Sequence, residues 1–318
     1  LVGLSILIFV LARVIPGDPV RLALGPYAVE EQVQFMRHRL GLDRPLPVQY
    51  LMYIRNVFQG QLGESLRTHR DVAADVRQYL PATVELTAVS MLIAVLVGIP
   101  LGVISALYKD HLPDHLSRIV ALSAVALPRF WLAILLQLLV AFHLGWLPAI
   151  DRASIPPRLI TGFYLLDSVL TQDWRALWDA LTHLLLPAFA LSVGTAAQVM
   201  RLVRSSMIEE MRKEYILAAV SYGLPKFVVV YKYMLRNALT STITILGLVY
   251  GFLLANAFVV EVVFAWPGLA SYGVQALLFK DFNAVVAVTL VVGTIYVVVN
   301  LFIDLMYAFL DPRVRYEG

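Results

Sequence analysis

A cation set in the middle of an apolar run is the most pointed chemistry in this sequence. Arg129 follows Pro128 and precedes Phe130-Trp131 near the centre of the apolar stretch 119–142. A guanidinium at membrane depth is costly, so it must face a partner or a watery cavity. Two readings are open. Arg129 lines a translocation path and attracts a carboxylate, bidentately where geometry allows, or it pairs with Glu85 or Glu261 as a structural ion pair. Trp131, Asn256 and Glu261 are candidates for the same path. Asp110-His111 and Asp114-His115 recur four residues apart, a spacing that can place metal ligands on one helix face. Pro113 interrupts that helix, and a solvated loop explains the pattern, so no metal ligand is assigned. No catalytic residue is assigned either. The sequence lacks His-Glu-x-x-His, its only loop Gly-x-Ser is Gly63-Glu64-Ser65, and no serine in a span has a base beside it. Nor does it contain the Gly-x-x-x-x-Gly-Lys-Ser/Thr phosphate loop that holds ATP in the usual way. Zero cysteines exclude disulfides, thiolate metal sites and a thiol nucleophile.

A second constellation suits docking rather than catalysis. In 214–239, Tyr215, Ala218 and Ala219 stand at helical spacing after Glu214, and Gly223-Leu224-Pro225 break the run. A second helical run follows, closed by Leu235-Arg236-Asn237-Ala238-Leu239. Small residues on one helix face let a foreign surface approach, and the glycine permits a turn that a side chain would obstruct. Ile216, Leu217, Val220 and Leu224 would hold such a helix against its partner.

The elements that position these residues are membrane helices. Hydrophobic residues make up 60% of the chain, charged residues 15%, and the mean hydropathy is +0.77, which is not the composition of a soluble globular protein. About six spans are expected, at 1–15, 83–107, 119–142, 184–200, 243–260 and 284–309. Residues 1–15 rise only about 22 Å, short of a roughly 30 Å hydrocarbon core, so the first span is expected to start upstream of Leu1 and to be uncleaved. Gly98 and Gly102 in the second span, and Gly247 and Gly251 in the fifth, allow close helix contact; the second pair also suits a narrow pore wall. Pro16-Gly17-Asp18-Pro19 ends the first span and opens a partly helical polar insert, 16–82, with helices expected near 30–37 and 48–58. A further loop, 149–182, carries Trp174 and Trp178, and Trp146 suits an interface. With the insert outside, segments 109–118, 201–236 and 311–318 hold 11 Lys/Arg in 54 residues, against 12 in 127 for the outer segments. That asymmetry places 201–236 and both termini in the cytoplasm.

These residues also carry a family resemblance. Leu217-Ala218-Ala219, Gly223 and Tyr233-Met234-Leu235-Arg236 fall on the EAA loop of bacterial ABC-importer permeases, with Leu217 for the leading Glu and Arg236 for the closing Pro. Both departures resemble the peptide-permease branch, although Tyr222 stands where that branch often has Lys. Its phrases occur in order: Pro16-Gly17-Asp18-Pro19, Leu40-Gly41-Leu42-Asp43-Arg44-Pro45, Val48-Gln49-Tyr50-Leu51, Leu62-Gly63-Glu64-Ser65, and Glu261 to Leu269. Thr161 to Asp167 resembles dipeptide permeases, and Arg129 replaces a residue usually uncharged there.

The resemblance implies a type I ABC importer permease fold over 1–318, with 205–237 as the cytoplasmic coupling loop. It implies Glu214, Tyr215, Ala218, Ala219, Gly223, Leu224, Arg236 and Asn237 as ATPase-coupling residues. The implied partners are a C-type permease, two ATP-binding subunits that hold ATP and Mg, and an extracytoplasmic binding protein that delivers the peptide; nucleic acid is not among them. Nickel, glutathione or haem importers of the same family are the alternative cargo classes. An ion-coupled secondary carrier would need an internal repeat and paired midplane acids, and neither is visible.

Overall fold

The computed structural model of the chain describes residues 2–14, 29–39 and 43–310. The phrase Pro16 to Pro19, residues 40–42 of the expected turn, and the closing Asp311 to Tyr316 lie outside the described residues. Among the described residues all regular structure is helical, apart from a single bridge between Glu64 and Asp71. In order these are α1 (Val2–Val14), α2 (Glu30–Arg39), α3 (Leu46–Phe58), α4 (Val72–Leu107), α5 (Leu112–Ala126) and α6 (Arg129–Leu136), which widens into a π turn over Gln137–His143. Next come α7 (Tyr164–Leu170), α8 (Trp174–Glu210), α9 (Glu214–Ser221), α10 (Lys226–Val228) with a π turn over Val229–Leu235, α11 (Arg236–Val263), α12 (Leu269–Leu278) and α13 (Phe282–Leu310). Among the described residues four helices are long and apolar enough to cross a membrane: α4, α8, the Ile245–Val263 part of α11 and the Phe282–Leu305 part of α13. The bent pair α5–α6 makes a fifth if it is one span. Helix α1, with 13 residues, is shorter than a span.

Four expectations need correction. The third span is not one helix, since α5 and α6 are bent by 102° across Leu127 and Pro128. Steric conflict with a proline ring drives the preceding residue out of the helical region, and Leu127 sits at φ −72°, ψ 129°. Arg129 therefore opens a helix and does not sit in mid-span. The fourth span is not short: α8 runs 37 residues, with Pro187 inside it and Asp173 Oδ1 accepting from the Ala176 N–H at its start. The run after Pro225 is not closed by Leu235 to Leu239, because it continues unbroken into α11. Likewise α4 starts at Val72 rather than after Ala82, with Asp71 Oδ1 accepting from the Ala73 N–H.

The chain divides into two compact units, 1–81 with 268–295, and 82–267 with 296–318. In the first, Val72, Val76, Leu269, Tyr272 and Ala276 form an apolar core with the start of α13. The Leu62 to Ser65 phrase has a physical reason there: Ser65 Oγ donates to Asp281 Oδ2 at 2.5 Å, and a side chain at Gly63 would collide with Asn283. Thr68 Oγ1 and the Tyr272 hydroxyl both donate to the buried Asp75, at 2.5 and 3.1 Å.

The second unit is held by helix seams that glycine makes possible. A Cβ on Gly98 would lie 2.7 Å from the Ala196 carbonyl, and one on Gly102 would lie 2.8 Å from that of Met200. Gly247 and Gly251 lie against Asn300 and Tyr296 in the same way. Both pairs are therefore close-packing contacts within this chain, as the spacing allowed.

Candidate functional site

The docking stretch is built from its root outward. Helix α9 leaves the end of α8 through a three-residue turn, and Glu210 is the residue that fixes the exit. The buried Glu210 carboxylate accepts from Lys213 Nζ at 2.6 Å and from the Tyr215 hydroxyl, which in turn accepts from Asn237 Nδ2 at 2.8 Å. One network thus joins the end of α8, the first turn of α9 and the start of α11. Its electrostatics agree with the geometry. The hydrogen bond to Glu210 raises the Lys213 ammonium above its ordinary value, and burial, then the same carboxylate, raises the Tyr215 phenol. Below the network, Ile216 and Ala219 are buried against Val103, Val203, Met207 and Val230.

This divides the expected coupling residues. Tyr215 and Asn237 hold the helix in place, and Ala219 faces the chain's own core together with Ile216, so neither of these two is presented outward. The outward side carries Glu214, Leu217, Ala218, Val220, Tyr222, Gly223 and Leu224, with Leu217 61% and Tyr222 87% exposed. Arg236 is also exposed. Gly223 sits at φ +73° with nothing within 4 Å of where a Cβ would be. The Leu224 N–H bonds the Ala219 carbonyl and the Gly223 N–H bonds that of Val220, the Schellman ending of a helix, which requires a left-handed residue. The glycine therefore has a local cause, and the turn throws Leu224 outward beside Tyr222.

The path candidates do not share one environment. Arg129 is partly buried and packs over Gly194 of α8, where a Cβ would lie 3.6 Å from its Nη2. Its Nη1 is buried and has no hydrogen-bond partner among the described residues. The ion-pair reading with Glu85 or Glu261 is not what forms. Glu85 takes Arg152, at 2.5 Å between Oε2 and Nη2, and the Leu165 N–H at 2.8 Å. Glu261 is fully buried and accepts from Thr83 Oγ1 at 2.5 Å. Trp131 is 45% exposed, and Asn256 Nδ2 donates back to the Phe252 carbonyl at 2.6 Å.

Comparison with known proteins decides the class. The family model described as "Binding-protein-dependent transport system inner membrane component" matches residues 98–316, and its N-terminal companion, "Binding-prot-dependent transport system membrane comp, N-term", matches residues 1–87. The chain belongs to this family of transport-system inner membrane components. It is 42% identical to "Probable D,D-dipeptide transport system permease protein DdpB" of Escherichia coli (strain K12), over 99% of this chain and 94% of that protein. It is 38% identical to "Dipeptide transport system permease protein DppB" of Alkalihalophilus pseudofirmus, over 99% and 96%. The inward-facing MetNI methionine ABC transporter shares the fold, with a TM-score of 0.54 at 18% identity, over 72% of this chain and 93% of that chain. The expected type I importer permease fold is thus found, in a multi-pass inner membrane protein that serves transport rather than catalysis.

For a member of this inner membrane component family, the residues missed from the sequence are ones that tie separate segments of the chain together. Asp114, expected in a solvated loop, is fully buried. It accepts from Arg204 Nε and Nη2, both at 2.7 Å, and from Ser105 Oγ at 2.6 Å, and Pro113 lies in the first turn of α5 instead of interrupting it. Arg152 is sandwiched between Glu85 and the Tyr164 ring, 3.8 Å from its centroid, and donates to the Gly162 carbonyl. Asp167 collects the N–H groups of Ile160, Thr161 and Gly162 and the Thr161 hydroxyl, which is the reason for the 161–167 phrase. None of these acids and bases stands at helical spacing to its partner, so no local pattern announces them.

Proposed function

We propose that this chain is the B-type membrane subunit of an ATP-driven peptide importer, pairing with a C-type permease and two ATP-binding subunits. The observation that carries the reading is the two-sided α9: clamped through Glu210, Tyr215 and Asn237 on one side, and bare and apolar at Leu217, Val220, Tyr222 and Leu224 on the other. The segment 201–236 around it carries seven Lys/Arg, which favours the cytoplasmic surface over lipid. An exposed apolar face in that setting calls for a protein partner, and the coupling loop 205–237 suits an ATPase cleft. The dipeptide transport names of the relatives support peptide cargo, brought by an extracytoplasmic binding protein to the side of the 16–82 insert. Nickel, glutathione and haem remain the alternative cargoes of such systems.

In this reading ATP and Mg reside in the partner subunits, and both chain termini are cytoplasmic. Closure of the ATPases pushes α9, and the Glu210 network passes the push to α8 and α11, opening the path alternately to each side. Arg129, Trp131 and Asn256 line that path. The test is purification from the native membrane in mild detergent, with identification of what copurifies. A second permease and phosphate-loop ATPases are expected. A chain that arrives alone, and moves solute in vesicles without ATP, contradicts the proposal and favours an ion-coupled carrier.

A further inference from the structure

We infer that Arg129 is a carboxylate-recognition point for the cargo in transit, so that the path discriminates among peptides after the binding protein has released them. The inference rests on the transport reading above and narrows it to cargo with an anionic terminus. Arg129 opens α6 directly after the 102° bend, as the single charged residue of the stretch 119–142. Both acids that the sequence offered as its counter-charge are engaged elsewhere, Glu85 by Arg152 and Glu261 by Thr83. Among the described residues no carboxylate pairs with Arg129, and its Nη1 is buried without an acceptor. Its other edge lies against α8 where Gly194 provides no side chain, with Cβ distances of 3.6 Å to Nη2 and 3.8 Å to Nε.

The other deeply placed arginines of this unit behave differently. Arg204 holds Asp114 through two nitrogens and Arg152 holds Glu85. A guanidinium taken out of water without an anion is strongly unfavourable, and one that receives an anion through two parallel N–H···O bonds is strongly favoured. A peptide's terminal carboxylate has the planar, two-oxygen geometry that the fork matches. Contact with one cation on one side leaves the carboxylate free to be released, as a transport path requires.

The chain has no cysteine, so Arg129→Cys can be modified selectively once any cysteines of the partner subunits are controlled for. The complete complex is reconstituted with ATP, and uptake of dialanine and of its C-terminal amide is measured per loaded binding protein. Arg129→Cys is expected to slow dialanine uptake at least about tenfold, the value of one charge-assisted hydrogen bond, and to slow uptake of the amide distinctly less. A methanethiosulfonate carrying an ammonium should restore dialanine uptake, one carrying a sulfonate should not, and excess dialanine should slow both modifications. Undiminished dialanine uptake in Arg129→Cys, equal rescue by both reagents, or a thiol that neither reagent reaches would overturn the inference. Where Arg129→Cys does not assemble, Arg129→Lys is tested. Selective loss of dialanine uptake supports the inference, whereas unchanged discrimination, or failure to assemble, marks a structural charge and overturns it. Absence of dialanine uptake in the unmodified complex contradicts the transport reading itself, a result separable from all of these.

Discussion

The loop after Trp146 and the stretch after Glu210 both leave a helix and return to one, yet they spend their polar chemistry in opposite ways. In the first, Arg152 is 6% and Glu85 8% exposed, and Tyr164, Gly162 and Asp167 complete a network turned wholly inward. In the second, Glu210, Lys213, Tyr215 and Asn237 secure one side of α9 and leave Leu217, Val220, Tyr222 and Leu224 bare. The difference separates polar groups that tie the chain to itself from a one-sided anchorage that, on the proposed function, receives a load. The loop's polar groups satisfy one another, whereas on the proposed function the helix gripped from one side acts as a lever.

Breaking the inward network should have the largest effect on stability. Glu85→Ala leaves Arg152 buried without its anion, and removing one member of a buried pair costs about 3–5 kcal/mol. The purified variant should therefore unfold at clearly lower temperature in detergent, with little of it reaching the membrane folded. Next is Tyr215→Phe, which deletes the hydroxyl between Glu210 and Asn237 and leaves a buried carboxylate short of a donor, a loss of about 1–3 kcal/mol. Hydrogen exchange should rise across 214–221 and stay unchanged in α4; uniform protection in the variant would sink the lever picture.

A smaller effect concerns acid. Burial pushes the Asp167 carboxyl up, but the donors of Thr161, Ile160 and Gly162 outweigh it and hold the group below the ordinary carboxylate range. Its folded value is depressed, so its contribution is complete above about pH 4 and is lost as pH falls through the folded value. Pepsin cleavage in 149–173 should accelerate below that point in the parent, while Asp167→Asn should be cleaved readily with little further dependence on pH. The smallest stability change belongs to the bare side, where Leu217→Asp should alter unfolding by no more than about 0.5 kcal/mol.

Much of this comparison could be read from residues alone, and its limits have physical reasons. The spans were legible because long apolar runs have one solution in lipid. The turn at 223–225 was legible because glycine before leucine and proline ends a helix in a particular way. The facing of α9 was not. In an eight-residue helix that is apolar almost all round, Ile216 and Ala219 differ from Leu217 and Val220 only in which side the core occupies. The bend at Pro128 was hidden because apolar residues continue on both sides of it, and membrane helices often tolerate proline. Nothing in the local sequence marks Glu210, the second of two adjacent acids, because Tyr215, with Asn237 behind it, reaches it only through the fold. Asp114 and Arg204 are far apart in sequence, and only the packing of α5 on α8 brings them together. Arg129 is the inverse case: its residue type was conspicuous, but its lack of an anion required knowing where Glu85 and Glu261 had gone.

The most direct test of the account is the ATPase activity and peptide uptake of a reconstituted complex carrying Leu217→Asp. The account predicts a normally folded and inserted chain that fails to retain the ATPases, or whose uptake no longer follows ATP hydrolysis. A variant that holds its ATPases and imports peptide at the parental ratio to ATP hydrolysed would contradict it.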